Sequence, residues 1–106
     1  MKIPINALIH RDKLTGYLLI PKHQNDKSQF LAKAGFTQEN PEVLEAAIRR
    51  LISENEALPD RVDEYGTFYQ VRGRLQGPNG ILLVVTIWLQ QQGEQGYRFI
   101  TLKPER

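Results

Sequence analysis

Tyr69-Gln70-Val71-Arg72-Gly73-Arg74-Leu75-Gln76-Gly77-Pro78-Asn79-Gly80-Ile81-Leu82-Leu83-Val84-Val85-Thr86-Ile87-Trp88 reads as two strands folded back on one turn. β-branched and aromatic residues flank Gly77-Pro78-Asn79-Gly80, which is the composition of a hairpin. Pro78 and Asn79 suit the central positions of a type I turn. Gly80 then supplies the left-handed residue of a G1 bulge, which gives a three-residue loop. With that loop Gly77 faces Ile81, and the pairs counted back are Leu75/Leu83, Val71/Ile87 and Tyr69/Leu89. The other face carries Arg74/Val84, Arg72/Thr86 and Gln70/Trp88. One face is apolar; the other mixes arginines, a hydroxyl and an indole, and functional chemistry is expected there.

Residues 97–103 form a third strand. A symmetric loop at 91–96 pairs Trp88 with Phe99, Ile87 with Ile100, Thr86 with Thr101 and Val85 with Leu102. The apolar face then holds Val71, Leu75, Leu83, Val85, Ile87, Ile100 and Leu102. The mixed face collects Gln70, Arg72, Arg74, Thr86, Trp88, Phe99, Thr101 and Lys103. Upstream, residues 2–9 alternate weakly, and Pro4 limits them to an edge strand because it lacks an amide proton. Asp12 is placed to cap a short helix over 13–19, with Leu14, Tyr17 and Leu18 on one side. A second short helix over 26–34 opens on Asp26 and Gln29 at capping-box spacing and stops at Gly35. The main helix has Asn40 as its cap, Pro41 in its first turn, and an apolar stripe of Leu44, Ala47, Ile48, Leu51 and Ile52. Glu45 and Arg49 add an i, i+4 pair. Residues 58–64 read as a polar connection. The sum is one α+β domain over 1–106: an N-terminal edge strand, short helices, one main amphipathic helix, then a three-stranded antiparallel meander with helices on one face.

A chain of 106 residues supports one modest core, with net stability of about 5–10 kcal/mol. The net charge of +2 and pI near 9.0 permit an anionic partner without demanding one. The absence of cysteine excludes disulfides and thiolate zinc sites. No apolar run reaches the length of a membrane helix and Met1-Lys2-Ile3-Pro4 carries no signal core, so a cytoplasmic location is expected. His10 and His23 are thirteen residues apart without paired carboxylates, and no metal or other cofactor is expected. Ser28 and Ser53 fall on helices, which argues against a Ser-His-Asp device.

The mixed face is equipped to hold RNA. Guanidinium groups neutralise phosphates, rings stack on unpaired bases, and hydroxyls bond sugar or phosphate oxygens. Metal-independent RNA cleavage needs a base for the 2′-hydroxyl, a cation at the phosphorane and an acid for the leaving oxygen. Arg72 or Arg74 supplies the cation, and His23 or His10 shuttles the proton. The loop Lys22-His23-Gln24-Asn25-Asp26-Lys27 adds an imidazole and two ammonium groups beside a helix start. A protein-binding surface would use the same face equally well, with Trp88, Phe99 and Tyr69 anchoring a small partner or a homodimer.

Several segments together carry a resemblance. Lys13-Leu14-Thr15-Gly16-Tyr17-Leu18-Leu19, then His23, Lys27 before Phe30, and Gly35-Phe36 form its first half. Tyr65-Gly66 with Tyr69, the Gly77-Pro78-Asn79-Gly80 turn, Val85-Thr86-Ile87-Trp88 and Arg98-Phe99-Ile100-Thr101 complete it. Over nearly its whole length the chain resembles the small bacterial domain-of-unknown-function family 6883, common in cyanobacteria. The resemblance implies a toxin-like module, encoded beside a small antitoxin-like partner or fused to a larger protein. It also implies a helices-then-meander layout similar to that of barnase/EndoU/colicin/RelE-like ribonucleases. Position by position it points to His23, Lys27, Tyr69, Thr86, Trp88, Arg98 and Thr101. Relatives often carry lysine where this chain has Phe68, and tyrosine where it has Lys103. The expected assignment is therefore His23, Lys27, Arg72, Thr86 and Thr101 as catalytic residues. Tyr69, Gln70, Arg74, Trp88, Arg98, Phe99 and Lys103 are expected to bind RNA or a partner.

Overall fold

The computed structural model describes residues 1–22 and 27–105. Helices come first. Helix α1 (Arg11–Lys13) runs directly into a π turn over Leu14–Leu18, closed by the Leu19 amide donating to the Leu14 carbonyl at 2.9 Å. The turn still buries Leu14 and Leu18, as the spacing predicts. The N-cap of α1 is His10 rather than Asp12, which lies inside that helix. Helix α2 (Ser28–Ala32) is shorter than the predicted 26–34, and Gly35 follows at φ +93°, a left-handed conformation that ends helices. The expected Asp26 cap lies outside the described residues.

Helix α3 (Pro41–Glu54) starts at Pro41 as predicted and buries the predicted stripe. Asn40 precedes it without capping it through its side chain. Its Oδ1 instead accepts from the Thr37 amide and hydroxyl, both at 2.9 Å, and so fixes the approach to the helix.

Four strands follow in the order β1 (Ala57–Asp63), β2 (Gly66–Gly77), β3 (Gly80–Gln91) and β4 (Arg98–Pro104), each antiparallel to the next. Strand β1 corrects the reading of 58–64 as a connection. Its Pro59 and charged residues suit an exposed edge, and a register shift between Pro59 and Arg61 accommodates them. The N-terminal strand reduces to one parallel bridge between Leu8 and Arg98.

The main correction is a slip of one residue in the hairpin. Gly77 pairs with Gly80 across a two-residue Pro78-Asn79 loop, and this places Tyr69 opposite Trp88, Val71 opposite Thr86 and Arg74 opposite Leu83. Because side chains alternate, the slip moves all of β3 to the other face. Thr86 and Trp88 enter the helix-covered core with Val71, Leu75 and Val84, and Leu83 turns out to solvent. On β4 the predicted Trp88/Phe99 pair holds. An irregularity between Ile87 and Trp88 then sets Ile87 opposite Thr101 and Thr86 opposite Leu102. The core is a single layer between α3, the α1 turn and the inner face of the sheet.

Two close approaches lock this arrangement. Gly77 sits where a Cβ would strike the Ala34 carbonyl and the Phe36 ring, and the Asn79 amide donates to that same carbonyl at 2.9 Å. In the core, the Trp88 indole N–H donates to the Thr86 hydroxyl at 2.8 Å, which donates to the Val71 carbonyl at 3.0 Å. No buried side-chain polar atom among the described residues lacks a partner.

Candidate functional site

The π turn presents Tyr17, the residue before α2 is Lys27, and β4 contributes Thr101 from an edge strand. These three meet. The Lys27 ammonium donates to the Thr101 hydroxyl at 3.0 Å and to the Tyr17 hydroxyl at 3.3 Å. The Lys22 ammonium lies over the same phenol ring, 4.0 Å from its centroid, and Lys27 lies 5.3 Å from it. The electron-rich face of the ring attracts each ammonium and so offsets part of the repulsion between them. The Tyr17 phenol is held below its ordinary value of 10.0. The hydrogen bond with Thr101 is the largest cause; partial burial opposes it, and the Lys27 bond and the two ammonium charges reinforce it. The arrangement can therefore bind an anion between two lysines and exchange a proton at a hydrogen-bonded phenol.

Of the five residues expected to be catalytic, the structure brings Lys27 and Thr101 together. His23 lies outside the described residues; in sequence it falls between the site lysines 22 and 27. Arg72 is placed elsewhere on the sheet, where its guanidinium pairs with the Glu105 carboxylate at 3.5 Å. Thr86 is wholly buried, and both its hydrogen-bonding capacities are spent inside the core.

The expected binding residues also divide. Trp88 and Phe99 are buried and pack edge-to-face at 5.3 Å, so neither reaches the surface as a stacking platform. Tyr69 stands on the helix side, half-buried, edge-on to Tyr97 at 5.6 Å. Gln70, Arg74, Arg98 and Lys103 do lie on the outer side of the sheet, Arg98 bonded to the Gln91 side chain at 2.8 Å. That outer side adjoins the cluster, because Thr101 and Lys103 are alternate residues of β4 and Lys103 lies opposite Val85, whose other neighbour is Arg72.

Tyr17 is the residue that sequence reasoning missed, since its spacing with Leu14 and Leu18 was sufficiently explained by a core-facing stripe. The available signal was chemical: a partly buried tyrosine requires a partner for its hydroxyl, and lysines bracket the following loop. No helix of the described residues is long and apolar enough to cross a membrane.

Among solved structures, the chain resembles one chain of a contact-dependent growth inhibition toxin–immunity protein complex from Klebsiella pneumoniae 342. The TM-score is 0.67 at 19% identity, with 93% of this chain and 100% of that chain covered. At that identity the likeness is one of fold. No curated protein matches the chain. The family model described as Domain of unknown function (DUF6883) matches residues 5–106, and the chain belongs to that family.

Proposed function

We propose that this domain is a toxin-like module that cleaves RNA without a metal, with its reactive corner at Tyr17, Lys27 and Thr101. The observation that carries the reading is the Lys27 ammonium held between two hydroxyls at the border of a cationic sheet face. The fold likeness to a chain of a toxin–immunity complex supports it. In this reading Lys103 and Arg72 hold flanking phosphates and Lys27, with Lys22, stabilises the phosphorane. His23 takes the proton from the 2′-hydroxyl as its oxygen attacks phosphorus. Tyr17 gives a proton to the 5′-oxygen as the P–O5′ bond breaks, leaving a 2′,3′-cyclic phosphate and a 5′-hydroxyl. A phenol with a lowered pKa is a stronger acid than an ordinary tyrosine, which suits that role.

The test is incubation of the pure protein with cellular RNA in EDTA, read on a gel. Cleavage is expected, abolished in His23→Ala and Lys27→Met and reduced about 100-fold in Tyr17→Phe. Intact RNA with the wild-type chain would sink the RNA reading, and full activity in Lys27→Met would sink this placement of the site.

The fold likeness equally supports a module that works by binding a small partner protein. Trp88 and Phe99 cannot anchor such a partner from the core, and exposed side chains of the sheet would have to do so.

A further inference from the structure

The sheet has one face under the helices and one face bare. On the bare face the cross-strand neighbours are Leu58, Gln70, Ile87 and Thr101 in one row and Arg72, Val85 and Lys103 in the next. Beyond them stand Arg74 beside Leu83 and Gln76 beside Ile81. Three large aliphatic side chains of this face are open to solvent: Leu58 is 56% exposed, Leu83 55% and Ile81 51%. Arg61 and Arg98 flank the far end of the face, Arg61 with its guanidinium 4.3 Å from the Phe68 ring centre. The face thus carries cations and three exposed aliphatics around a buried Phe68, Val85 and Leu89.

The charge pattern identifies the occupant. Five cations, Arg61, Arg72, Arg74, Arg98 and Lys103, stand on or beside this face and outnumber its nearby carboxylates, Glu105, paired with Arg72, and Asp60, which accepts from the Gln70 amide. Among the described residues Arg74 and Lys103 have no ion-pair partner. A second copy docking face to face would oppose cations to cations, which costs association. RNA would match the charge but gain nothing from Leu58, Leu83 and Ile81, and the ring on this face, Phe68, is buried beside Arg61 where a base cannot stack. Aliphatic contacts ringed by arginine are the chemistry of a protein interface. Paired addition of a strand at β1 is blunted by Pro59 and the adjoining register shift, so the face, rather than the edge, is the docking surface.

We infer that the bare sheet face docks an acidic partner protein, whose carboxylates meet Arg72, Arg74 and Lys103 and whose apolar side chains cover Leu58, Leu83 and Ile81. The docking stands without the RNA reading. Resting on that reading, one consequence follows: the partner shares Arg72 and Lys103 with RNA, so the two exclude each other.

The experiment uses the tagged full chain as bait in a lysate of its source organism, beside an Arg74→Glu/Leu83→Ser variant and Lys27→Met. The captured protein is identified, purified and titrated into chain labelled at its isoleucine and leucine methyl groups. Expected is an acidic protein held by wild type and Lys27→Met, bound at least about tenfold more weakly by the face variant, and shifting the Leu58, Ile81 and Leu83 methyls. Thermal unfolding of the face variant verifies that it is folded. No specific capture, capture indifferent to the face variant, or shifts confined to other methyls overturns the inference. So does a single-stranded RNA oligomer that shifts these three methyls while the captured protein leaves them unmoved. RNA cleavage is assayed separately, so loss of that activity and loss of docking are read independently.

Discussion

At the scale of single residues, two hydroxyls show how burial decides a role. Thr86 and Thr101 both read as polar residues of one face, yet Thr86 is sealed in the core, where it accepts from Trp88 and donates to Val71. Thr86→Val keeps the shape and strands the indole N–H in an apolar setting, so a loss of about 1–3 kcal/mol is expected in urea unfolding. An unchanged midpoint would refute the structural role. Tyr17 is the counterpart at the surface. A 295 nm titration of wild type minus Tyr17→Phe should show phenol ionisation with a midpoint below 10.0, and Lys27→Met should raise that midpoint. The sign follows from linkage. A depressed folded pKa stabilises the fold fully above the unfolded value, and this stabilisation fades as pH falls through the folded pKa. It is lost once the pH lies below the folded pKa, where Tyr17 is protonated and available as an acid.

At the scale of elements, the helices were more legible than the hairpin register. Helix α3 carries a 3.6-residue stripe that only one face can satisfy, and its start follows from Asn40-Pro41. In the hairpin, Ile81 to Leu89 is apolar at every position but Thr86, so a period of two cannot choose which residues face inward. Pro78-Asn79 is compatible with either loop length, and the choice was made by a distant partner, the Ala34–Phe36 turn against which Gly77 closes. For the same reason β1 read as a connection: its pattern of one buried residue followed by six exposed ones leaves no alternation to detect. Lys27 and Thr101 were legible through the resemblance, while their meeting with Tyr17 depends on the edge of β4 reaching the π turn. Gly77→Ala tests the locking role. Its added methyl would press on the Ala34 carbonyl and Phe36, and destabilisation of about 1–3 kcal/mol is expected in thermal or urea unfolding. Wild-type stability would mean that the turn can move away at no cost.

At the scale of the molecule, residues 1–9 tie together the two outer strands of the sheet. The Met1 carbonyl accepts from the Ala57 amide of β1 at 2.7 Å, while at the other end Leu8 donates to the Tyr97 carbonyl and accepts from the Phe99 amide of β4. Ile3, Ala7 and Ile9 are buried along the way. This strap has no sheet ladder of its own to hold it, and Arg49 of α3 supplies the missing donors, its guanidinium donating to the Ile5 and Ala7 carbonyls, both at 2.7 Å. Glu45 orients that guanidinium at 3.1 Å from one helical turn away. The i, i+4 pair read in the sequence as a small helical stabiliser thus serves a long-range contact, since Arg49 is held in place to clamp the strap. Arg49→Ala should cost about 1–3 kcal/mol, because charge-assisted bonds to two carbonyls are lost together. Amide exchange locates the effect. Leu8 and Phe99 should exchange faster, whereas Val71 and Thr86 at the sheet centre should change only by the global loss of stability. Uniform acceleration throughout would show that the strap unfolds with the core rather than ahead of it. Selective opening would bear on the site as well, since the strap meets β4 at Phe99, two residues before Thr101, and its loosening would free the hydroxyl that holds Lys27.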